Sequence, residues 1–293
     1  MLKESFLEYL ALERNYSEKT VISYEADLNQ FEKYLKGVDE NLDFITADAD
    51  LVRGWVMELM ERKYSETSVN RKLSSLRTFY RYLLRKGKVE ADPMQKIIGP
   101  KKKKPLPVFV KDADMNKLLD DTDFGNSFEG VRDHLILEMF YVTGIRLSEL
   151  IGLKDADVDL FAGTIKVTGK RNKQRLIPFG KELKEDLLAY LDARDVYYAG
   201  PCNAFFIRKE GKPLYSHMIY VLVKRYLSKV VTLKKRSPHV LRHSFATSML
   251  NHNAELEAVK ELLGHESLTT TEVYTHTTFE ELKKVYEQAH PRA

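Results

Sequence analysis

Cysteine is almost absent from this chain: Cys202 is the only one among 293 residues. A single thiol excludes an internal disulfide framework and any multi-cysteine zinc or iron–sulfur site. Long apolar runs are missing too, since none approaches the ~18 residues that cross a bilayer. The start, Met1-Leu2-Lys3-Glu4-Ser5-Phe6, has no basic segment followed by an apolar one, so it does not read as a secretory signal. Nor does one sign of charge dominate, because the formal net charge is only +4. With 43% hydrophobic and 31% charged residues, the composition is neither disordered nor fibrous. These exclusions leave a cytoplasmic globular protein without membrane insertion, long enough for about two domains.

What is present is unevenly distributed. Residues 1–61 hold 6 Lys/Arg against 14 Asp/Glu, whereas residues 62–104 hold 14 against 3. A local basic excess of that size is the electrostatic footprint of a polyanion-binding surface. After Ser17, the apolar residues Val21, Tyr24, Leu28, Phe31 and Leu35 recur every three or four positions, which predicts one face of a helix ending near Gly37. Ser65 caps a second such run, with Val69, Leu73, Leu76, Phe79 and Leu83 facing the core. That second helix carries Arg77, Arg81 and Arg85 at i, i+4 and i+8, with Arg71 and Lys72 a turn or two earlier. Like charges stacked in this way repel, and a row of phosphates would relieve them. Asn70, Ser74 and Ser75 are placed to add hydrogen bonds to DNA backbone or base edges.

The boundary falls at Gly99-Pro100, the run Lys101 to Lys104, and Pro105-Leu106-Pro107, which cannot continue a helix. The expected organisation is a helical domain over 1–100, a basic linker over 101–107 and a second domain over 108–293. The fold class is mainly α with a small β element. Thr164–Thr168 and Arg175–Pro178 read as strands of a hairpin around the basic loop Gly169-Lys170-Arg171-Asn172-Lys173. Phe205-Phe206-Ile207 reads as one more short strand, and helices resume from about Ser216.

Three segments carry chemistry. They are Thr143-Gly144-Ile145-Arg146-Leu147-Ser148-Glu149-Leu150, His239-Val240-Leu241-Arg242-His243-Ser244, and Leu262-Leu263-Gly264-His265-Glu266-Ser267 followed by Thr271-Glu272-Val273-Tyr274. His239 and His243 have zincin spacing, but Val240 stands where the catalytic Glu would be, and Arg242 would oppose a bound cation. Ser244 lacks the glycines of a nucleophile elbow. Metal and serine-hydrolase chemistry are therefore set aside. His239 and Arg242, at i and i+3, share a helix face. Arginines from distant segments, a hairpin lysine and histidines make a cationic pocket suited to a phosphate. A tyrosine nearby can attack phosphorus, splitting one hard displacement into two easier ones.

These segments resemble the tyrosine recombinase (phage integrase) family, and most nearly its Xer branch. The family pattern Arg…Lys…His-x-x-Arg…His…Tyr falls on Arg146, Lys170, His239, Arg242, His265 and Tyr274. The ending His290-Pro291-Arg292-Ala293 also resembles Xer endings, and the N-terminal helices resemble the family's core-binding domain.

The resemblance implies a site-specific recombinase that cuts and rejoins DNA through a 3′-phosphotyrosyl link on Tyr274. Arg146 and Arg242 would clamp the phosphate, Lys170 would protonate the leaving oxygen, His239 would accept the tyrosine proton or donate to the phosphate, and His265 would hydrogen-bond the phosphate and help hold the pocket. Asn70, Arg71, Arg77, Arg81 and Arg85 would contact DNA. No metal or other cofactor is expected. Implied partners are a short duplex core site, a tetramer of one or two kinds of recombinase, and a septal DNA translocase of the FtsK kind. The C-terminal helix around Phe279–Tyr286 would be exchanged with a neighbouring protomer. Chromosome-dimer resolution is the first expectation. A mobile-element integrase or invertase follows, then a type IB topoisomerase.

Overall fold

The computed structural model describes residues 2–102, 108–169, 173–198, 200, 202–264 and 279–293. The chain divides into two compact units, Met1–Pro105 and Leu106–Ala293. Each has its own buried apolar cluster. Among the described residues, no helix is long and apolar enough to cross a membrane.

The first unit contains α1 (Leu2–Glu8), a π-helical turn, α2 (Glu18–Val38), α3 (Ala49–Glu61) and α4 (Glu66–Arg85). Side-chain oxygens start the three long helices. Ser17 accepts from the Thr20 N–H, Asp48 from Leu51 and Ser65 from Ser68. Each cap satisfies one orphan donor of its first turn. The apolar stripes read from the sequence close on one another. Leu28, Phe31 and Leu35 of α2 meet Val69, Leu73, Leu76, Phe79 and Leu83 of α4, all fully buried, with Trp55 of α3 between.

The second unit contains α5 (Asp112–Asp120), α6 (Phe128–Thr143), α7 (Leu147–Ile151), β1 (Val158–Asp159), β2 (Thr164–Thr168), β3 (Gln174–Pro178) and α8 (Lys181–Tyr197). It continues with α9 (Ser216–Val230), α10 (Pro238–Asn251), α11 (Leu256–Leu263) and α12 (Phe279–Ala289). The mainly helical reading with a β-hairpin holds. The hairpin pairs Thr168 with Gln174 and Thr164 with Pro178, and a third strand, β1, extends it into an antiparallel sheet in the order β1-β2-β3. The strand expected at Phe205–Ile207 is reduced to a single bridge between Ile207 and Pro213. Those aromatic side chains are instead buried against Tyr190. Helix α6 is buried almost all round and forms the centre of this unit.

Helix α12, expected to be exchanged, packs on its own unit in this chain through Leu282, Tyr286 and Ala289. The tail beyond it is also seated. His290 is sandwiched by Tyr286, Phe245 and Tyr141, and Arg292 pairs with Asp120 and Glu182.

Candidate functional site

Helix α6 ends at Gly144 in the left-handed conformation, φ +58°. A β-carbon there would come within 2.5 Å of Phe245, so glycine is demanded by both backbone and space. The turn delivers Arg146 to the start of α7. There Glu149, 5% exposed, accepts from the Arg146 backbone N–H at 2.8 Å and from Arg146 Nη1 at 2.7 Å. Glu149 also takes a two-pronged contact from Arg175 of β3, at 2.6 and 2.9 Å. Burial pushes the Glu149 carboxyl up, but the hydrogen bonds and charge of Arg175, then of Arg146, outweigh it and hold it below the usual range.

Arg242, on the first turns of α10, is the most buried of the three arginines. Its Nη1 donates to the Gly144 carbonyl and its Nη2 to Leu263, each at 2.5 Å. Arg146 Nη2 donates to the Gly264 carbonyl at 2.6 Å and Arg175 Nε to Leu262 at 2.9 Å. Three consecutive carbonyls at the end of α11 therefore each receive a different arginine. These carbonyls have no partner within the helix and lie at its negative end, so guanidinium donors suit them. Gly264 closes α11 at φ +63°, and a β-carbon there would press on the Arg175 side chain at 3.0 Å. Burial, then the positive charges of Arg146 and Arg175, lower the Arg242 guanidinium. A bound anion would relieve that field. Arg146 keeps 31% of its side chain exposed, so the pocket opens to solvent on that edge.

The structure thus brings together Arg146 and Arg242 from the expected set. His239 lies on the first turn of α10, exposed, one helical turn before Arg242. Lys170, His265 and Tyr274 lie outside the described residues. At the base of the hairpin the Gly169 N–H donates to the Lys173 carbonyl at 2.8 Å. Arg175 was missed as a site residue. Its signal was present in the alternation of β3, where Arg175 shares a face with buried Ile177 while Gln174 and Leu176 are exposed. An arginine on the inward face of a strand needs a buried partner.

In the first unit, the expected DNA-contacting face is redrawn. Lys72 is buried and pairs with Asp27 at 3.0 Å, and Ser75 is buried and donates to the same carboxylate at 2.8 Å. Both side chains are committed to Asp27, because an unpaired carboxylate inside the bundle would be costly. Asn70 donates to the carbonyls of Glu66 and Pro100, and half-buried Arg77 donates to that of Ile97. Both hold the segment that leaves the bundle. Arg71 is half exposed but bridges Asp27 and Ser23. Arg81 is exposed, and Arg85 is exposed over the Tyr9 ring, 4.9 Å from its centre. The exposed polar stripe of α4 is therefore Arg71, Ser74, Arg81 and Arg85. A groove beside its start is lined by Lys19, Thr20 and Ser23 of α2 with Arg71 and Ser74. Sequence reading missed the α2 residues because they surround a helix cap.

A second titratable cluster lies away from this pocket. His134, Glu138 and Asp186 bring their ligand atoms within 4.8 Å of one another. Burial, then the neighbouring Asp186, push the carboxyl of fully buried Glu138 well above the usual carboxylate range. His134 pairs with Asp186 at 3.0 Å, and Arg292 already brings positive charge 3.7 Å from Glu138. The cluster anchors the tail, and the guanidinium opposes a cation there.

In the second unit, three arginines meet at the end of α11, two of them on one buried carboxylate, an arrangement that can hold an anion; the first unit is a separate helical bundle. Residues 109–281 match the phage integrase family profile, and residues 4–87 match the profile described as phage integrase, N-terminal SAM-like domain. The chain belongs to the phage integrase family of tyrosine recombinases, enzymes that cleave and rejoin DNA, and it is a site-specific recombinase. It is 38% identical to the tyrosine recombinase XerC of Chlorobaculum tepidum, covering 98% of this chain and 94% of that one. It is 36% identical to XerC of Bacillus subtilis, over 98% and 95%. Among solved structures it resembles XerH bound to its difH substrate, with 23% identity, TM-score 0.71, and coverage of 96% and 82%. It also resembles the Tn1549 transposon integrase with circular intermediate DNA, with 20% identity, TM-score 0.73, and coverage of 97% and 98%. These two likenesses concern the fold.

Proposed function

We propose that Tyr274 attacks the scissile phosphate of a duplex core site. The phenol oxygen bonds to phosphorus, the bond to the 5′-oxygen breaks, and a 3′-phosphotyrosyl link and a free 5′-hydroxyl result. The phenol proton passes to His239, and Lys170 gives a proton to the leaving 5′-oxygen. Arg146 and Arg242 hold the non-bridging oxygens, and His265 adds a hydrogen bond. Fixed cations of this kind stabilise charge that develops in the transition state without needing to reorganise. A phenol of pKa ~10 needs such a field or a base at neutral pH. The phosphotyrosine conserves the ester, so a 5′-hydroxyl can reverse the reaction without ATP. The charge comes from Arg and Lys, and the reading calls for no cofactor.

The observation that carries this reading is the set of arginines on the last carbonyls of α11, ten residues before Tyr274 in the sequence. Double-stranded DNA is the partner, met by the Arg71, Ser74, Arg81 and Arg85 stripe of the first unit. Asn70 and Arg77 support that stripe from the adjoining side. The division of labour follows the two units, a core-binding domain over 1–100 and a catalytic domain over 108–293, joined by the basic linker. Four protomers, of one or two kinds, would act on two sites in the cytoplasm, with α12 exchanged between neighbours. Near-full-length identity to XerC proteins favours chromosome-dimer resolution, with a septal DNA translocase as a further partner.

Covalent capture tests the proposal. The protein is mixed with sheared DNA from its host, denatured in SDS, and the linked DNA is sequenced, with Tyr274→Phe as control. One locus near the replication terminus is expected. Ends of a mobile element would point to an integrase, and scattered recovery to a topoisomerase. No adduct above the control, even with a partner recombinase added, would overturn the chemistry.

A further inference from the structure

Arg175 touches neither of the residues proposed to hold the phosphate, yet the geometry ties it to both. Glu149 has about four lone-pair positions to fill, and all four are filled: two by Arg146 and two by Arg175. The Arg175 contact is a parallel fork, which fixes the plane of the carboxylate and not just its distance. The same guanidinium uses Nε to bind the Leu262 carbonyl. Its neighbours Leu263 and Gly264 bind Arg242 and Arg146. Arg175 is thus the link between β3, buried Glu149 and the end of α11. It is only 14% exposed, so it is poorly placed to meet DNA itself. Gly169, at the base of the same hairpin, lies against this pair as well. A β-carbon there would sit 3.4 Å from Glu149 Oε1 and 3.6 Å from Arg146 Nη1.

We infer that Arg175 is a positioning residue for strand cleavage: it holds Glu149 in the one orientation that aims Arg146 at the phosphate. The inference rests on the phosphate-clamping role given to Arg146 above. Without the fork, Glu149 can rotate and draw the Arg146 guanidinium toward itself, and the cost appears when charge builds on the non-bridging oxygens. Lysine keeps a cation beside Glu149 but has neither the fork nor an Nε donor for Leu262.

The test uses the full chain and a duplex site recovered by covalent capture, made in two forms. One has the natural scissile phosphate. The other has a methylphosphonate there, which carries no charge for Arg146 to neutralise. With the natural phosphate, Arg175→Lys should cleave about 10²-fold more slowly than the unaltered protein, the scale for losing one preorganised donor. With the methylphosphonate, the two proteins should differ by less than about 10-fold, as Arg146→Ala should also do. DNA binding and thermal midpoint serve as controls for folding. The double variant Glu149→Gln/Arg175→Gln removes charge and counter-charge together, and should show the same selective rescue. A loss equal on both substrates in a folded variant would overturn the inference, as would an Arg175→Lys rate equal to that of the unaltered protein. Absence of an adduct with the unaltered protein would overturn the recombinase chemistry itself, and the positioning role with it.

Discussion

Arg242 is 8% exposed, and its guanidinium is held by two backbone carbonyls, so its direction is set before any ligand arrives. Arg242→Lys should therefore lower single-turnover cleavage by about 10²–10³-fold while DNA binding changes only a few-fold. An unchanged cleavage rate would remove Arg242 from the pocket's chemistry. Glu149 is the opposite case, a buried anion surrounded by donors. Glu149→Ala leaves two arginines facing a void and should destabilise the second unit by about 3–5 kcal/mol, read by chemical denaturation. The sign with pH follows from its lowered carboxyl. The stabilisation is present above the unfolded value of 4.5 and is lost as pH falls through the still lower folded value.

At the scale of elements, α2 and α4 are joined by apolar stripes and by one polar knot. Asp27 is fully buried and receives Arg71, Lys72 and Ser75. Asp27→Asn should cost about 3–5 kcal/mol in the first unit, because Lys72 then keeps its charge in the core without a counter-ion. Denaturant unfolding followed through Trp55 would report it, since that single tryptophan lies in the same core. The seating of α12 makes a different prediction. The Arg292 N–H donates to His290 Nδ1, and Nε2 faces the Tyr141 carbonyl, so the ring is held neutral. Burial lowers it to about 4 from 6.5. The tail is thus fully stabilised above about pH 6.5 and loosens progressively toward pH 4, as the unfolded chain binds a proton that the folded one refuses. Amide protection in α12, measured against the intrinsic exchange rate at each pH, should fall over that interval, and His290→Phe should flatten the fall.

For the whole molecule, the charge asymmetry of the sequence becomes a property of one unit. Exposed cations on the α4 stripe should make duplex binding strongly salt-dependent, through release of counter-ions. Arg81→Ala is expected to reduce the slope of log K against log salt by about 1, uniformly across sequences. Arg77→Ala should leave that slope unchanged, because its guanidinium is committed to the Ile97 carbonyl. The two residues are only one turn apart, so titrating binding against salt for both variants separates a phosphate contact from a structural one.

The helices of the first unit were legible because Ser17 and Ser65 are caps and because the apolar spacing allows only one buried face. The hairpin was legible from two β runs about a basic loop. Arg146 and Arg242 were legible because each stands in a short motif at a helix end, the first just after Gly144 that closes α6 and the second one turn after His239 at the start of α10. Local periodicity and local chain chemistry suffice for all of these. The fate of individual charges was not legible. Lys72, Ser75 and Asn70 have the look of a DNA-facing surface, and only packing shows that Asp27 and the exit segment claim them. Arg175 looked like a strand residue until β3 came to lie between Glu149 and the end of α11. A charged side chain's role depends on the partner it meets across tens of residues of sequence, and that meeting is decided by the tertiary fold.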